Sequence, residues 1–142
     1  MRIWIAYCNS EFVPVYYKLL LTQEKDKQRP LREALIKALN YIEEGFKKFS
    51  QGDYFFGNQI SLVDIAFYPF FERFVTNVYY RDTPIPEHCE HLRRWIRIMR
   101  ERPAVKETAN PPEFYLERYK RFAEGDISGR SGYKKILDDL WK

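Results

Sequence analysis

Apolar residues at Ile5, Cys8, Phe12, Tyr16 and Leu19 recur every three or four positions, the spacing that lines one face of an α-helix. Pro14 falls inside that run and lacks a backbone donor, so the pattern predicts a kinked first helix ending before the polar stretch 23–29. Leu31, Leu35, Leu39, Ile42, Phe46 and Phe49 repeat the period as a second long helix, begun near Pro30 and terminated by Ser50, Gln51, Gly52 and Asp53. Consecutive amphipathic helices of this kind predict an antiparallel hairpin. No segment alternates with the strand period and no internal repeat stands out, so the chain reads as all-α.

The run from Tyr54 to Phe74 joins a tight turn, a helix start and a strongly apolar helix. Ser61 can accept a hydrogen bond from the backbone N–H of Asp64 while Asp64 reaches back to the N–H of Ser61, a capping box that satisfies two donors a helix start leaves orphaned. Ile60 and Ile65 flank the box as a hydrophobic staple. Beyond it, Leu62, Val63, Ile65, Phe67, Phe70, Phe71, Phe74 and Val78 cover nearly the whole helix circumference, which predicts a helix enclosed on all sides. Asp64 is therefore assigned a structural rather than a catalytic part.

Asp82-Thr83-Pro84-Ile85-Pro86 predicts an extended connection, followed by a helix with the stripe Leu92, Trp95, Ile96 and Met99 that ends before Pro103 in a short turn. Asn110 reads as the cap of a further helix with proline in its first turn, leading into Tyr115, Leu116, Tyr119, Phe122 and Ala123 and stopped by Gly125. Gly125 to Gly132 reads as a hinge, since no Gly-Lys-Ser/Thr ending or preceding strand makes it a phosphate loop. Ile136, Leu137, Leu140 and Trp141 then predict a short extra C-terminal helix. The whole, residues 1–142, is expected to be a single domain.

Composition agrees with one compact body: 45% of the 142 residues are hydrophobic, and with 11 Tyr and 11 Phe the interior is expected to be built from rings. The charge of +4, from 24 basic and 20 acidic residues, is interleaved along the chain and reads as a solvated surface. Its strongest local excess is Arg93, Arg94, Arg97, Arg100 and Arg102, on the outward face of the Trp95 helix. A nucleic-acid footprint is the alternative there, and no base-stacking motif accompanies it. The two cysteines form no C-x-x-C pair, and neither a cleavable leader nor a membrane-length apolar run is seen, so a reducing, cytoplasmic address is expected.

Candidate chemistry is sparse. His88-Cys89-Glu90-His91 holds the only clustered metal-ligand types, but a zinc site needs three or four converging ligands, so a solvated helix start is preferred and no metal is expected. Both histidines fall in that segment, leaving a hydrolytic triad nothing to be built from. Cys8 lies on an apolar stripe and reads as a buried thiol, with a reactive one as the alternative.

The Phe55-Phe56-Gly57 turn, the Ser61–Asp64 box, Tyr68-Pro69-Phe70-Phe71-Glu72-Arg73 and the later Arg102-Pro103-Ala104-Val105 occur in an order that resembles the C-terminal helical domain of the cytosolic glutathione transferase superfamily, the omega class in particular. The resemblance spans roughly residues 3–122 and implies a helical bundle around a buried central helix. It also implies that the thioredoxin-like domain, which carries the glutathione site and the omega-class cysteine, is not part of these 142 residues. What would remain is one wall of the hydrophobic-substrate site, lined by Tyr7, Phe12, Tyr68, Arg73, Phe114 and Tyr115, with no catalytic residue. No cofactor is expected on this chain alone, and glutathione only in company with a thioredoxin-like domain, so the chain by itself is expected to be inactive. Expected partners are a second copy or a separate thioredoxin-like chain, docked through Trp4, Tyr7, Phe12 and Tyr16, and an apolar small molecule; neither a membrane nor nucleic acid is expected. Arg73 would offer a ligand its forked donors or form an ion pair with Glu72 or Asp64. The alternative to the transferase half is an assembly scaffold of the kind found in translation-associated complexes.

Overall fold

The computed structural model describes residues 1–125, and these form eight α-helices with no strand among them. The predicted terminal helix and most of the hinge lie outside the described residues. α1 (Arg2–Tyr7) and α2 (Val13–Leu21) form one rod interrupted by a π-turn at Cys8–Phe12. The irregularity thus falls just before Pro14, where the Val13 N–H reaches back five residues to the Cys8 carbonyl and takes up the disturbance of the missing donor.

α3 (Lys25–Phe49) runs back along this rod. It starts five residues ahead of the predicted Pro30 start, with Lys27 and Gln28 donating to the Glu24 carbonyl, so Pro30 sits in the second turn and removes a single bond of a 25-residue helix. Gly45 is what lets the rod lie close. A Cβ there would come within 2.4 Å of the Trp4 ring.

α4 (Leu62–Glu72) is the central helix, and the chain leaves helical geometry at Arg73 before α5 (Val75–Arg81) begins. Phe71 occupies the middle of the core, stacked on Phe12 at 5.1 Å and edge-on to Trp95 at 5.6 Å. Enclosure is not complete, however. Leu62 and Ile65 are 60% and 55% exposed, one turn apart on the side of α4 that no described element covers, and Ile60 is exposed too, so the predicted staple does not form.

The capping box does close. Both limbs are formed, and the fully buried Asp64 carboxylate accepts the Ser61 N–H (2.8 Å), the Ser61 hydroxyl (2.6 Å), the Phe55 N–H (3.0 Å) and the Trp95 indole N–H (2.8 Å). One side chain thereby ties the Phe55 turn, the start of α4 and α6 (Glu90–Glu101) together. After Pro103 the structure forms a helix rather than a turn, α7 (Pro103–Thr108). α8 (Pro112–Glu124) is capped by Pro111 instead of Asn110, whose side chain turns to the Tyr115 hydroxyl. It ends on Gly125 in a left-handed conformation.

Candidate functional site

Arg73 follows the last turn of α4, and its backbone is pinned: the carbonyl accepts the hydroxyls of Tyr16 and Thr76, each at 2.9 Å. The side chain is half-buried and points away from the core contacts of Phe71. Its guanidinium lies 5.7 Å from the Phe70 ring centroid and donates to the Tyr119 hydroxyl at 3.3 Å. Tyr17, from α2, stands edge-on to Phe70 at 6.3 Å with its hydroxyl against Tyr119 and Arg73. Burial first, and the neighbouring Tyr119 next, push the Tyr17 phenol up to about 12, so it stays protonated and able to donate.

Three elements thus build a small surface of two phenols and a guanidinium over a ring, all partly open to solvent. Neither ion pair weighed for Arg73 is made. Glu72 accepts the Tyr115 hydroxyl at 2.5 Å, and Asp64 is occupied by its own donors. Among the described residues no carboxylate pairs with Arg73, which leaves donor capacity free for a polar group of a ligand.

Of the six residues assigned by resemblance, only Arg73 belongs to this surface. Phe12 is fully enclosed in the core and can touch no ligand there. Tyr68 is buried against Trp95 on the other side of α4, because two residues along a helix turn a side chain by about 200°. Tyr115 is buried with Glu72, Phe114 is exposed beneath Arg118, and Tyr7 packs on Tyr41 at 4.5 Å at the far end of the rod. The residues that the sequence reading missed are Tyr17, Phe70 and Tyr119. Tyr17 carried a signal: it is an aromatic residue one step off the buried stripe Tyr16–Leu19.

The proposed docking anchors are corrected as well. Trp4, Phe12 and Tyr16 are buried, and the exposed apolar side chains on that side are Ile3, Tyr41, Phe49 and Phe56, around a hollow of about 350 Å³. His88 and His91 are engaged by different residues of α3, Asn40 at 2.6 Å and Glu43 at 2.8 Å. Glu43, itself buried, also accepts the N–H groups of His91 and Leu92 and so caps α6 from outside. No group of three or more metal-ligand residues forms among the described residues.

Both cysteines are buried, and burial pushes the Cys8 thiol up to about 12, far above reach of a thiolate reagent. Ellman's reagent is expected to titrate neither thiol in the folded protein and both after denaturation. Rapid labelling of Cys8 in the native state contradicts this assignment.

The order and packing of the helices find their counterpart in known proteins. The family described as glutathione S-transferase, C-terminal domain, matches residues 23–97. The chain belongs to this family. Glutathione S-transferase L2, chloroplastic, from Arabidopsis thaliana is 39% identical over 95 residues, 63% of this chain and 30% of that protein. A Tau class glutathione S-transferase from mango, Mangifera indica, superposes with a TM-score of 0.76 at 27% identity, covering 86% of this chain and 57% of the other. Glutathione transferase Omega 3C from Trametes versicolor gives 0.66 at 26% identity, covering 90% and 53%. The likeness therefore extends over L, Tau and Omega proteins and does not single out omega. The transferase-like helical domain spans well under two thirds of each of these relatives. No helix among its described residues is long and apolar enough to cross a membrane.

Proposed function

We propose that this domain is the helical half of a glutathione-transferase-like protein and that Tyr17, Phe70, Arg73 and Tyr119 form the wall for an apolar co-substrate. The observation that carries this reading is the half-buried Arg73 guanidinium, laid on Phe70 and unpaired by any described carboxylate, beside the phenols of Tyr17 and Tyr119. Such a surface offers ring contacts to an apolar body and directed donors to a polar substituent. Glutathione would be held by a thioredoxin-like domain, and the exposed Leu62 and Ile65 on α4 supply the apolar area it would cover. The relatives that match are named glutathione transferases, which favours this over the scaffold alternative.

Self-association is the second part of the proposal, through Ile3, Tyr41, Phe49 and Phe56 rather than the buried aromatics of the rod. An omega-like class is the finer reading, supported by the Omega 3C likeness, and a cytoplasmic address is the default for a domain with two unpaired buried thiols.

Given glutathione and a chromogenic electrophile, the chain alone is expected to show no turnover above the buffer rate. Joined to a thioredoxin-like domain of the family, it is expected to turn over, and Arg73→Ala is expected to raise KM for the electrophile about tenfold while KM for glutathione stays unchanged. Turnover by the chain alone, or an Arg73→Ala enzyme with unaltered KM values, overturns the reading.

A further inference from the structure

The chain leaves helical geometry between α4 and α5 where its own residues give no cause: neither glycine nor proline lies within three positions of Arg73. Pro69, the one proline of α4, withdraws its bond from the Ile65 carbonyl, a full turn earlier. A helix is also broken where a side chain inserts into its ladder of hydrogen bonds. Tyr16 is such a side chain. Its hydroxyl donates to the Arg73 carbonyl at 2.9 Å, the acceptor that the Asn77 N–H would take in a continuous helix, and Asn77 donates instead to the Phe74 carbonyl at 3.1 Å. Thr76 brings its hydroxyl and its N–H to the same Arg73 oxygen, at 2.9 and 3.0 Å. The two hydroxyls lie 3.0 Å apart, and both residues are buried. Burial pushes the Tyr16 phenol well above the ordinary tyrosine value, so it keeps the proton that it donates.

Consecutive residues of α2 therefore hold the two ends of Arg73. Tyr16 faces the core and fixes the backbone oxygen, and Tyr17, about 100° further round the helix, sets its hydroxyl against the guanidinium and Tyr119. Packing alone does not call for a tyrosine at position 16. A phenylalanine there would meet the same rings, Phe70 at 6.2 Å and Phe74 at 5.9 Å, and would leave the Arg73 carbonyl to Thr76.

We propose that Tyr16 and Thr76 are the positioning residues of the co-substrate wall: their buried hydroxyls hold the helix break at Arg73 and so keep its guanidinium over Phe70 and against Tyr119. The proposal rests on the reading of Arg73 as the donor of that wall. Its consequence is that preference for a co-substrate with a polar substituent depends on two groups that no ligand touches. Geometry of this kind matters because a donor displaced by a fraction of its bond length loses most of its directed interaction.

The first test reads the chain alone by NMR. In Tyr16→Phe the Arg73 Nε–H signal and the ring signals of Tyr17 and Tyr119 are expected to move toward those of solvent-exposed side chains, while the Trp95 indole N–H signal, a reporter of the core at Asp64, stays in place. Thr76→Val removes the second hydroxyl from a different helix and is expected to give the same pattern, and Thr76→Ser, which restores it, the parent spectrum. An unmoved Arg73 signal in both Tyr16→Phe and Thr76→Val, or one that moves only together with the Trp95 indole, overturns the proposal. The second test uses the chain joined to a thioredoxin-like domain of the family. Tyr16→Phe is expected to raise KM for the electrophile about fivefold, with kcat and KM for glutathione unchanged, and to have no further effect in an Arg73→Ala background. A raised KM in Arg73→Ala beside parent values in Tyr16→Phe overturns the positioning role and leaves the wall standing. Unaltered KM values in Arg73→Ala overturn the wall itself, and with it the consequence for specificity.

Discussion

Asp64→Ala is expected to remove a large share of this domain's stability and to lower its urea midpoint accordingly. Three of the donors that converge on the Asp64 carboxylate, the N–H groups of Phe55, Ser61 and Trp95, belong to segments that α4 must hold in place, and the carboxylate is fully buried. Alanine leaves those donors without an acceptor in a site water does not reach. Each such orphan costs about 1 to 3 kcal/mol, and the loss of a buried charged hub as a whole about 3 to 5 kcal/mol, against a total stability of about 5 to 15 kcal/mol. The cap contribution by itself, as Ser61→Ala would report it, is only about 1 kcal/mol. Asp64→Asn keeps one acceptor oxygen but turns an NH₂ group toward donors, so its cost is expected between the other two. Urea midpoints for the three variants order these effects. A midpoint unchanged in Asp64→Ala would show that the hub does not hold the turn, the central helix and α6 together.

The Ser61–Asp64 box was legible because it is a local device: its spacing of three residues is read directly from the chain, and one helix start contains all of it. The long-range half of the same carboxylate's work was not, because nothing in the sequence says that Trp95 will point its indole N–H at a residue in another helix. The site suffers from the same limit in angular form. A motif match fixes which helix Tyr68 and Phe70 occupy, but at about 100° per residue a choice between them decides which side of α4 is meant. Phe70, three residues before Arg73, shares its face, whereas Tyr68 falls toward Trp95 on α6. Phe12 and Tyr16 failed as docking anchors for a related reason. A hydrophobic stripe says which residues will be covered, not whether the cover is the protein's own core or a partner. Leu62 and Ile65 make the converse point, since the pattern marks them for burial and the described residues leave them open. Pro30 shows local preference yielding to context: a proline at home in a first turn is accepted in the second when 25 residues of helix share the cost.

Arg81 escaped notice altogether in the sequence, and its replacement is expected to have the second large effect on stability. Its side chain is nearly enclosed, with no carboxylate partner among the described residues. The guanidinium instead donates to the carbonyls of Leu19 (2.8 Å), Leu20 (2.6 Å), Tyr80 (2.8 Å) and Ala123 (2.7 Å). These lie in the last turns of α2, α5 and α8, where carbonyls lack helical partners and the helix dipole is negative. One planar cation thus meets three helix C-termini at once, and burial, with Arg32 nearby, lowers its pKa from the ordinary arginine value. Arg81→Met fills similar space but leaves the carbonyls buried and unpaired, at an expected cost of about 3 to 5 kcal/mol. Arg81→Lys retains the charge on a compact ammonium with three donors, which cannot reproduce the fork, and about half that loss is expected. The two variants also differ in where they act. The last turn of α8 depends on this contact and on the Gln23 side chain, which donates to the Phe122 carbonyl, so in Arg81→Lys the amides of that turn are expected to exchange with solvent faster than those of α3. Uniformly raised exchange in both helices would mean that Arg81 supports the whole core rather than the junction of the three ends, and an unshifted urea midpoint in Arg81→Met would remove its structural role.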